Sequence, residues 1–120
     1  MHESAFAYSL LRLVLEELKK HQQAGQPLRV TEVEMEIGLL ACLEAKTLRG
    51  CFELLAEGTA AENSTLTVRT RPMSGYCPDC GKTVSTGGRF FGCPCCAGAA
   101  VAWKGGHEMQ ITAISVQTVS

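Results

Sequence analysis

Four cysteines in the last third of the chain have the spacing of a metal site. They form two Cys-x-x-Cys pairs, Cys77 with Cys80 and Cys93 with Cys96, and twelve residues separate the pairs. Each pair can turn two thiolates onto one ion, and two pairs complete a tetrahedron of four sulfurs. Because this donor set is closed and leaves no position open for a substrate, it predicts structural Zn²⁺ rather than a catalytic ion.

The cysteine pattern leaves two other interpretations open, a pair of disulfides and a redox-active dithiol. Cys95 adds an ambiguity because it could replace Cys93 or Cys96, although only the 93/96 pair keeps the two-residue spacing. Cys42 and Cys51 lie in apolar segments, and we predict that both are core residues rather than ligands. Seven cysteines, four of them with metal spacing, fit a reducing compartment.

The chain begins Met1-His2-Glu3, which is a second candidate metal site. We expect Met1 to be retained because His2 is bulky. The Met1 α-amine, the His2 backbone nitrogen and the His2 imidazole can then chelate one ion, and Glu3 can add a backbone nitrogen or a carboxylate. Planar nitrogen ligands favour Ni²⁺ or Cu²⁺. Binding displaces amide protons and should weaken at acid pH. Alone, the pattern is weak, since most terminal histidines are simply exposed.

Length and charge limit the classes of protein to consider. The 120 residues suffice for one domain, or for a small domain with a metal-stabilised appendage. The net charge is −1, from 11 basic and 12 acidic residues without a basic block, so nucleic-acid binding is not indicated. The apolar segment 5–18 is too short and too charged to span a bilayer, and it lacks the cleavage site of a signal peptide. We expect a cytoplasmic protein without a membrane partner.

Two segments have helical periodicity. The first covers about residues 4–23 and is ended by Gly25 and Pro27. Its apolar stripe consists of Phe6, Leu10, Leu11, Val14, Leu15 and Leu18. The second helix has its stripe at Leu48, Cys51, Phe52 and Leu55, and Gly58 ends it.

Three segments alternate with period two and are predicted strands. In residues 33–37, apolar side chains alternate with glutamates, which indicates one face in the core and one in water. Residues 66–71 and 109–119 follow the same rule, but the apolar phase slips between Ile111 and Ile114, which suggests a bulge.

These elements predict an α+β fold, in which two helices pack on a small three-stranded sheet. A four-cysteine zinc ribbon is inserted before the last strand. Residues 1–72 plus 105–120 form the first predicted domain, and residues 73–104 form the zinc domain. The zinc segment is rich in glycine and poor in core residues, so we expect it not to fold without its metal. We predict that Trp103 packs on its small core.

The two ends of the chain together resemble the HypA/HybF family. The resemblance rests on the Met-His-Glu start, the first helix, the segment 33–38 (VEMEIG), and the C-x-x-C-x₁₂-C-P-x-C pattern. It extends in order over essentially the whole chain and includes Phe52-Glu53 in the second helix and Gly58-Thr59 after it. The cysteine spacing is common to many zinc ribbons, but its combination with the terminal motif is specific.

The resemblance implies a nickel metallochaperone for the maturation of [NiFe]-hydrogenases, which is not an enzyme. It implies a nickel-binding domain that contains His2 and Glu3, and a structural zinc domain. Its partners would be a HypB-type GTPase and the hydrogenase large subunit, and some members also supply urease. Some members have histidines beside the cysteine pairs where this chain has Lys82 and Ala97. An exchange of thiolate for imidazole at the zinc is therefore not expected.

Two function classes compete with this interpretation. A zinc-ribbon nucleic-acid module would need a basic face with exposed aromatic residues. The ribbon offers only Lys82, Arg89 and Lys104, with the pair Phe90-Phe91. A dithiol oxidoreductase would need a free nucleophile, whereas a thiolate held by zinc is not free. Metal analysis with and without added nickel separates the three classes.

Overall fold

A computed structural model describes residues 2–22, 25–87 and 91–119. The chain forms two compact units. Unit 1 consists of Met1–Met35, Leu43–Val68 and Ile111–Ser120, and unit 2 consists of Glu36–Cys42 and Arg69–Gln110. The structure has the two helices, the three-stranded sheet and the later four-cysteine cluster that the sequence predicts, so the α+β fold class is confirmed.

The first helix, α1, spans Glu3–His21. Its buried apolar positions recur at the predicted spacing and add one small residue to the stripe. They are Ala7, Leu10, Leu11, Val14 and Leu18, with Phe6 and Leu15 half-buried. The helix ends where Gln22 turns extended and its N–H donates to the Lys19 carbonyl. The last turn carries Lys19, Lys20 and His21, whose basic side chains suit the negative end of the helix dipole.

The second helix, α2, spans Ala45–Ala56 and packs on α1. Glu44 caps it, because its carboxylate accepts the N–H groups of Lys46 at 3.2 Å and Thr47 at 2.6 Å. The buried face consists of Leu48, Phe52 and Ala56, while Cys51 is half-buried and Leu55 is exposed. Neither helix of the described chain is long and apolar enough to cross a membrane.

Three strands form the larger sheet in the order β2-β1-β6. They are β1 Leu28–Gly38, β2 Thr65–Arg71 and β6 Met109–Thr118. The predicted alternation is confirmed, since Val33, Met35 and Ile37 are buried and the glutamates between them are only half-buried. Ile111 and Ile114 lie three residues apart and are both half-buried, which confirms the slip in phase.

The cysteine segment contains a second sheet with the order β4-β3-β5. Its strands are β3 Met73–Cys77, β4 Lys82–Thr86 and β5 Ala102–Lys104, and both pairings are antiparallel. Gly75 lies opposite Val84 on one side and Trp103 on the other. A Cβ at Gly75 would lie 2.5 Å from the Ala102 carbonyl oxygen, so glycine is required there.

Unit 2 has a small core beneath this sheet. Cys77, Val84 and Cys93 are buried, and Trp103 packs against them, which confirms the prediction for the tryptophan. The Trp103 indole N–H donates to the Phe91 carbonyl at 2.6 Å, and the two rings meet edge to face. Because so few side chains are buried, the cysteines themselves make up much of the core.

A return loop connects β5 to β6 and adds the segment 36–42 to unit 2. Gly106 donates its N–H to the Glu108 carboxylate and accepts the Leu40 N–H at 2.6 Å. Gly38 donates to the Glu108 carbonyl at 2.8 Å. The N–H groups of Glu108 and Gly106 hold the pKa of the Glu108 carboxyl below its ordinary value. Unit 2 is therefore larger than the segment 73–104 delimited from the sequence.

The prediction that Cys42 is a core residue is wrong. Cys42 is exposed and adopts a left-handed conformation with φ 57°. The apolar run 40–43 resembles a core segment in sequence, but the chain turns there between β1 and α2, so a side chain in the turn is left in solvent. Cys51, on α2, is half-buried.

Candidate metal centres

The four predicted cysteines come together in unit 2. The sulfurs of Cys77, Cys80, Cys93 and Cys96 all lie within 4.8 Å of one another. Two of these pairs join the two motifs, with the sulfurs of Cys77 and Cys96 at 3.6 Å and those of Cys80 and Cys93 at 3.7 Å. A tetrahedron with Zn–S distances of about 2.3 Å has sulfur–sulfur edges of about 3.8 Å. All seven cysteines are free thiols, so the separations fit a four-thiolate metal site and not disulfides.

The two cysteine pairs lie in turns of the same construction. The Cys77 carbonyl accepts the Gly81 N–H at 2.8 Å, and the Cys93 carbonyl accepts the Ala97 N–H at 2.8 Å. In each turn the residue after the second cysteine has positive φ, 72° at Gly81 and 58° at Ala97. Glycine adopts this conformation without penalty, whereas alanine does not. The second turn is therefore the more strained of two equivalent turns.

Backbone N–H groups and neighbouring thiols together set the pKa values of the cluster sulfurs. Burial raises the pKa of the Cys93 thiol, but N–H donors from Cys96 and Cys95 outweigh it and bring that pKa to about 6. The Gly98 N–H lowers the pKa of Cys96, but the neighbouring thiols of Cys77 and Cys93 outweigh this donor and raise it to about 12. The cluster alone therefore does not ionise fully near neutral pH, whereas a dication would displace the remaining protons.

Gly98 follows the second cysteine turn, and its backbone lies close to the first cysteine turn. Its carbonyl accepts the Cys93 N–H at 2.8 Å. A Cβ at this position would lie 2.5 Å from an Asp79 carboxylate oxygen and 3.3 Å from the Cys96 sulfur. The glycine thus allows the backbone to approach both a cluster sulfur and the opposite turn, a close approach that the sequence alone does not reveal.

Cys95 does not belong to the group of four sulfurs. Its side chain is exposed, and its backbone N–H donates to the Cys93 sulfur at 3.4 Å. The ambiguity in the sequence is therefore resolved in favour of Cys93 and Cys96. Within residues 2–22, 25–87 and 91–119, the four cysteines are the only group of three or more potential metal-ligating side chains.

The amino-terminal candidates lie at the start of α1. Met1 lies outside the described residues. His2 is exposed at the N-cap position, and its side chain makes no capping hydrogen bond. Glu3 differs sharply from it, since it is only 9% exposed and its Oε2 accepts the Glu44 N–H at 3.0 Å. The Glu3 carboxylate, which the sequence offers as a nickel donor, thus accepts a hydrogen bond from Glu44, the residue that precedes α2.

Electrostatics around Glu3 favour its charged form. The Glu44 N–H, followed by the N–H of Glu3 itself, holds the pKa of the Glu3 carboxyl below its ordinary value. The N–H and hydroxyl of Thr47 similarly lower the pKa of Glu44. Sequence reasoning missed Glu44 because glutamate is not one of the residues that usually cap a helix amino terminus. Its contact with Glu3 spans 41 residues and has no local signal.

The chain has two further histidines, His21 and His107. His21 is exposed, and its ring nitrogen lies 3.2 Å from the Glu17 carboxylate one turn earlier. His107 is exposed in the return loop. Two residues of the competing nucleic-acid interpretation, Arg89 and Phe90, lie outside the described residues.

Comparison with known proteins identifies the family. The sequence profile described as "Hydrogenase/urease nickel incorporation, metallochaperone, hypA" matches residues 1–116. The chain belongs to the HypA family. Curated relatives named hydrogenase maturation factor HypA agree with this. The protein from Azorhizobium caulinodans is 36% identical over 97% of this chain and 99% of its own length. The one from Xanthobacter autotrophicus is 37% identical over the same shares.

Solved structures of family members have the same fold. The solution structure of the Ni metallochaperone HypA from Helicobacter pylori superposes with a TM-score of 0.59 at 22% identity, and the match covers 95% of this chain and 96% of that one. A second structure, described as the solution structure of HypA protein, gives 0.64 at 22% identity and covers 98% and 97%. At this identity the likeness extends to the fold alone, and the HypA sequence profile carries the family assignment.

Proposed function

We propose that the protein binds Ni²⁺ at its amino terminus and helps to deliver it to the large subunit of a [NiFe]-hydrogenase during maturation. Membership of a nickel-incorporation family is the observation that carries this proposal. On this proposal the protein carries nickel without catalysing a reaction. Its partners are a HypB-type GTPase and the hydrogenase large subunit, and it works in the cytoplasm.

The exposed His2 at the start of α1 supports nickel binding there. The first hydrogen bond of α1 runs from the Phe6 N–H to the His2 carbonyl at 3.0 Å. The N–H groups of residues 2 and 3 therefore serve no helical carbonyl, and they can lose their protons to a metal without breaking the helix. The proposed donors are the Met1 α-amine, the backbone nitrogen and imidazole of His2, and the backbone nitrogen of Glu3.

The Glu3 carboxylate has a structural role in this proposal, in addition to the backbone nitrogen that Glu3 offers to nickel. Its carboxylate holds the Glu44 N–H, so it ties the start of α1 to the start of α2 and keeps the amino terminus in place. Its own N–H also donates to that carboxylate. A nickel ion that takes the Glu3 nitrogen must displace this proton, so binding should weaken as the pH falls.

The four cysteines are proposed to hold structural Zn²⁺. The all-thiolate donor set and the sulfur separations suit that ion. Bound zinc would supply the cross-link that the small core of unit 2 requires, and it would do no chemistry there. The zinc and nickel sites then have separate donors, and zinc stabilises the fold whereas nickel is the ion to be delivered.

Calorimetric titration of untagged protein with Ni²⁺ tests the nickel site. We expect His2→Ala to abolish tight binding while zinc content and fold stay unchanged. A few residues added before Met1, with His2 kept, should weaken binding to a similar degree because the free α-amine is lost. A carboxy-terminal extension should have no effect.

His21→Ala is the matched control, because His21 is also an exposed histidine on α1. It should bind nickel as the native protein does. Equal nickel affinity for the native, His2→Ala and extended proteins would exclude the amino-terminal chelate and leave only the family assignment. Delivery is tested separately, by measuring nickel in the hydrogenase large subunit from cells that contain either the native or the His2→Ala protein.

A further inference from the structure

The sulfurs of the cysteine cluster differ in their access to solvent. Cys77 and Cys93, the first cysteine of each motif, are buried. Of the second cysteines, Cys80 is half-buried and Cys96 is exposed. Each motif therefore contributes one sulfur that solvent hardly reaches and one that a small solute can reach.

Each accessible sulfur lies beside a buried sulfur of the other motif. The Cys96 sulfur lies 3.6 Å from that of Cys77. The Cys80 sulfur lies 3.7 Å from that of Cys93. An S–S bond of about 2.05 Å would form after an approach of roughly 1.6 Å. A thiol that is oxidised from solvent thus has a second thiol beside it, and this neighbour can trap it as a disulfide.

These two pairs also connect the two cysteine turns. Cys77 and Cys96 are 19 residues apart in sequence, and Cys80 and Cys93 are 13 residues apart. A disulfide in either pair closes a loop that contains parts of both turns, so it holds the turns together as a shared metal ion would. A disulfide within one Cys-x-x-Cys motif would leave the turns unconnected. Because unit 2 buries few side chains besides the cysteines, its fold depends on a link of this kind.

We propose that unit 2 is a reversible redox switch, in which a two-electron oxidant such as hydrogen peroxide converts the metal-binding cluster into two disulfides and releases the ion. The disulfides join Cys77 to Cys96 and Cys80 to Cys93. The oxidised ribbon keeps its fold, because the disulfides replace the metal as the link between the turns. The switch rests on the proposed zinc site and adds a condition under which that site gives up its ion.

The chemistry begins at the accessible sulfur of each pair. Peroxide transfers one oxygen atom to the Cys96 sulfur as its O–O bond breaks, which yields a sulfenic acid and one water. The Cys77 sulfur then attacks the Cys96 sulfur, so that an S–S bond replaces the S–OH bond and a second water leaves. Each pair gives two electrons to one peroxide. Where the sulfurs were metal-bound thiolates, solvent supplies the two protons. A dithiol reductant returns the two electrons and restores the thiols.

Peroxide titration of the full zinc-loaded chain, with a chromogenic chelator present, tests the release of zinc. About two equivalents of peroxide per chain should release all the zinc, because each disulfide consumes one peroxide. After free thiols are alkylated, tryptic peptides are analysed without reduction. Trypsin cleaves after Lys82 and Arg89, which lie between the two motifs. The predicted disulfides therefore link the two cysteine peptides, whereas disulfides within the motifs leave them separate. Fragmentation of the linked peptides assigns the pairs.

Near-ultraviolet circular dichroism of Trp103 tests whether the oxidised ribbon stays folded. Trp103 is the only tryptophan of the chain and packs on the cluster. Its signal should persist in the oxidised, zinc-free protein. It should disappear when a chelator removes zinc from the reduced protein, since no link then joins the turns. Reduction with a dithiol followed by added zinc should restore the starting state.

Cys95→Ala is the matched control, because Cys95 is an exposed thiol that lies one residue from Cys96 but outside the group of four. It should release zinc and form the same disulfides as the native protein. Zinc that stays bound after two equivalents of peroxide would overturn the proposal. Disulfides within the motifs, a disulfide that contains Cys95, or loss of the Trp103 signal on oxidation would overturn it equally.

These outcomes are distinct from a failure of the proposed function. A reduced protein that holds no zinc would refute the proposed zinc site, and the peptide analysis would still decide how the cysteines pair. The nickel proposal is tested by the His2→Ala titration on reduced protein, which does not involve peroxide.

Discussion

The cysteine cluster and the amino terminus are built in opposite ways. In the cluster, four donors of one kind converge from two turns, and backbone N–H groups support the sulfurs. At the amino terminus, the His2 side chain is exposed, while the neighbouring carboxylate is buried and already bonded to Glu44. The first arrangement suits an ion that stays, and the second suits an ion that is taken up and passed on.

The contrast predicts which part of the chain would depend on a bound metal for its fold. Unit 2 buries few side chains outside the cysteines, whereas unit 1 has two helices packed on each other with a core of their own. Loss of an ion held by the four cysteines should therefore affect the fold of unit 2, whereas loss of the proposed nickel ion should affect function alone.

The largest effect should follow loss of a buried cysteine. We expect Cys77→Ala or Cys93→Ala to lose about one zinc per chain and to unfold the ribbon, because three thiolates no longer close the tetrahedron. Zinc analysis and near-ultraviolet circular dichroism of Trp103 report the two effects. Cys95→Ala is the control, since its thiol lies outside the cluster. Full zinc content in the Cys77 and Cys93 variants would refute the assignment.

Replacing Glu3 should loosen the amino terminus without affecting zinc. Because the folded-state pKa of Glu3 lies below its ordinary value of 4.5, its charge stabilises the fold above about that pH. This stabilisation is lost as the pH falls through the folded-state pKa. Glu3→Gln should therefore lower the melting temperature at neutral pH, and the difference from the native protein should shrink on acidification. An identical deficit at all pH values would exclude a role for the charge.

Two controls bracket the Glu3 experiment. Glu16→Gln, on the exposed face of α1 in a surface pair with Arg12, should change the melting temperature little. Glu3→Ala should cost more than Glu3→Gln, because it leaves the Glu44 N–H without its acceptor. Zinc content should be the same in all three variants.

The two cysteine turns should respond in opposite directions to exchange of glycine and alanine. Gly81→Ala forces a side chain into the left-handed region and should destabilise unit 2 by about 1 kcal/mol. Ala97→Gly relieves the same strain but makes the unfolded chain more flexible, so its gain should be smaller, about 0.5 kcal/mol. Competition with a chromogenic zinc chelator measures the zinc affinity of both variants, which should change in the same direction as the stability of unit 2. If Gly81→Ala and Ala97→Gly changed the zinc affinity equally and in the same direction, the two turns would not be equivalent.

The smallest effect is expected at Ser64, which is not among the donors of either proposed metal site. The Ser64 hydroxyl is buried and has no hydrogen-bond partner among the described residues. Ser64→Ala removes the cost of burying it and should raise the free energy of unfolding by less than about 1 kcal/mol. Chemical denaturation measures this change, and metal binding should be unaffected. A destabilised Ser64→Ala protein would indicate that the hydroxyl has a partner such as a buried water.

Much of the fold was predictable because its signals are local. The α1 stripe, the alternation in β1 and the cysteine spacing each depend on residues a few positions apart. The phase slip between Ile111 and Ile114 was visible for the same reason. The prediction failed at Cys42, where an apolar run crosses a turn. Hydrophobicity alone does not reveal that the chain turns there and leaves the Cys42 side chain in solvent.

The amino-acid sequence alone determined which candidate metal donors this protein offers, namely four cysteine thiols in its last third and a histidine at position 2. Residue types and short spacings suffice for that, because they set which donors can reach one ion. Only the tertiary structure decided that the Glu3 carboxylate accepts the Glu44 N–H, that the Gly106 carbonyl accepts the Leu40 N–H, and that β6 lies at the edge of its sheet. These are contacts or pairings between distant segments, and folding selects them through burial and hydrogen bonding rather than through any local pattern.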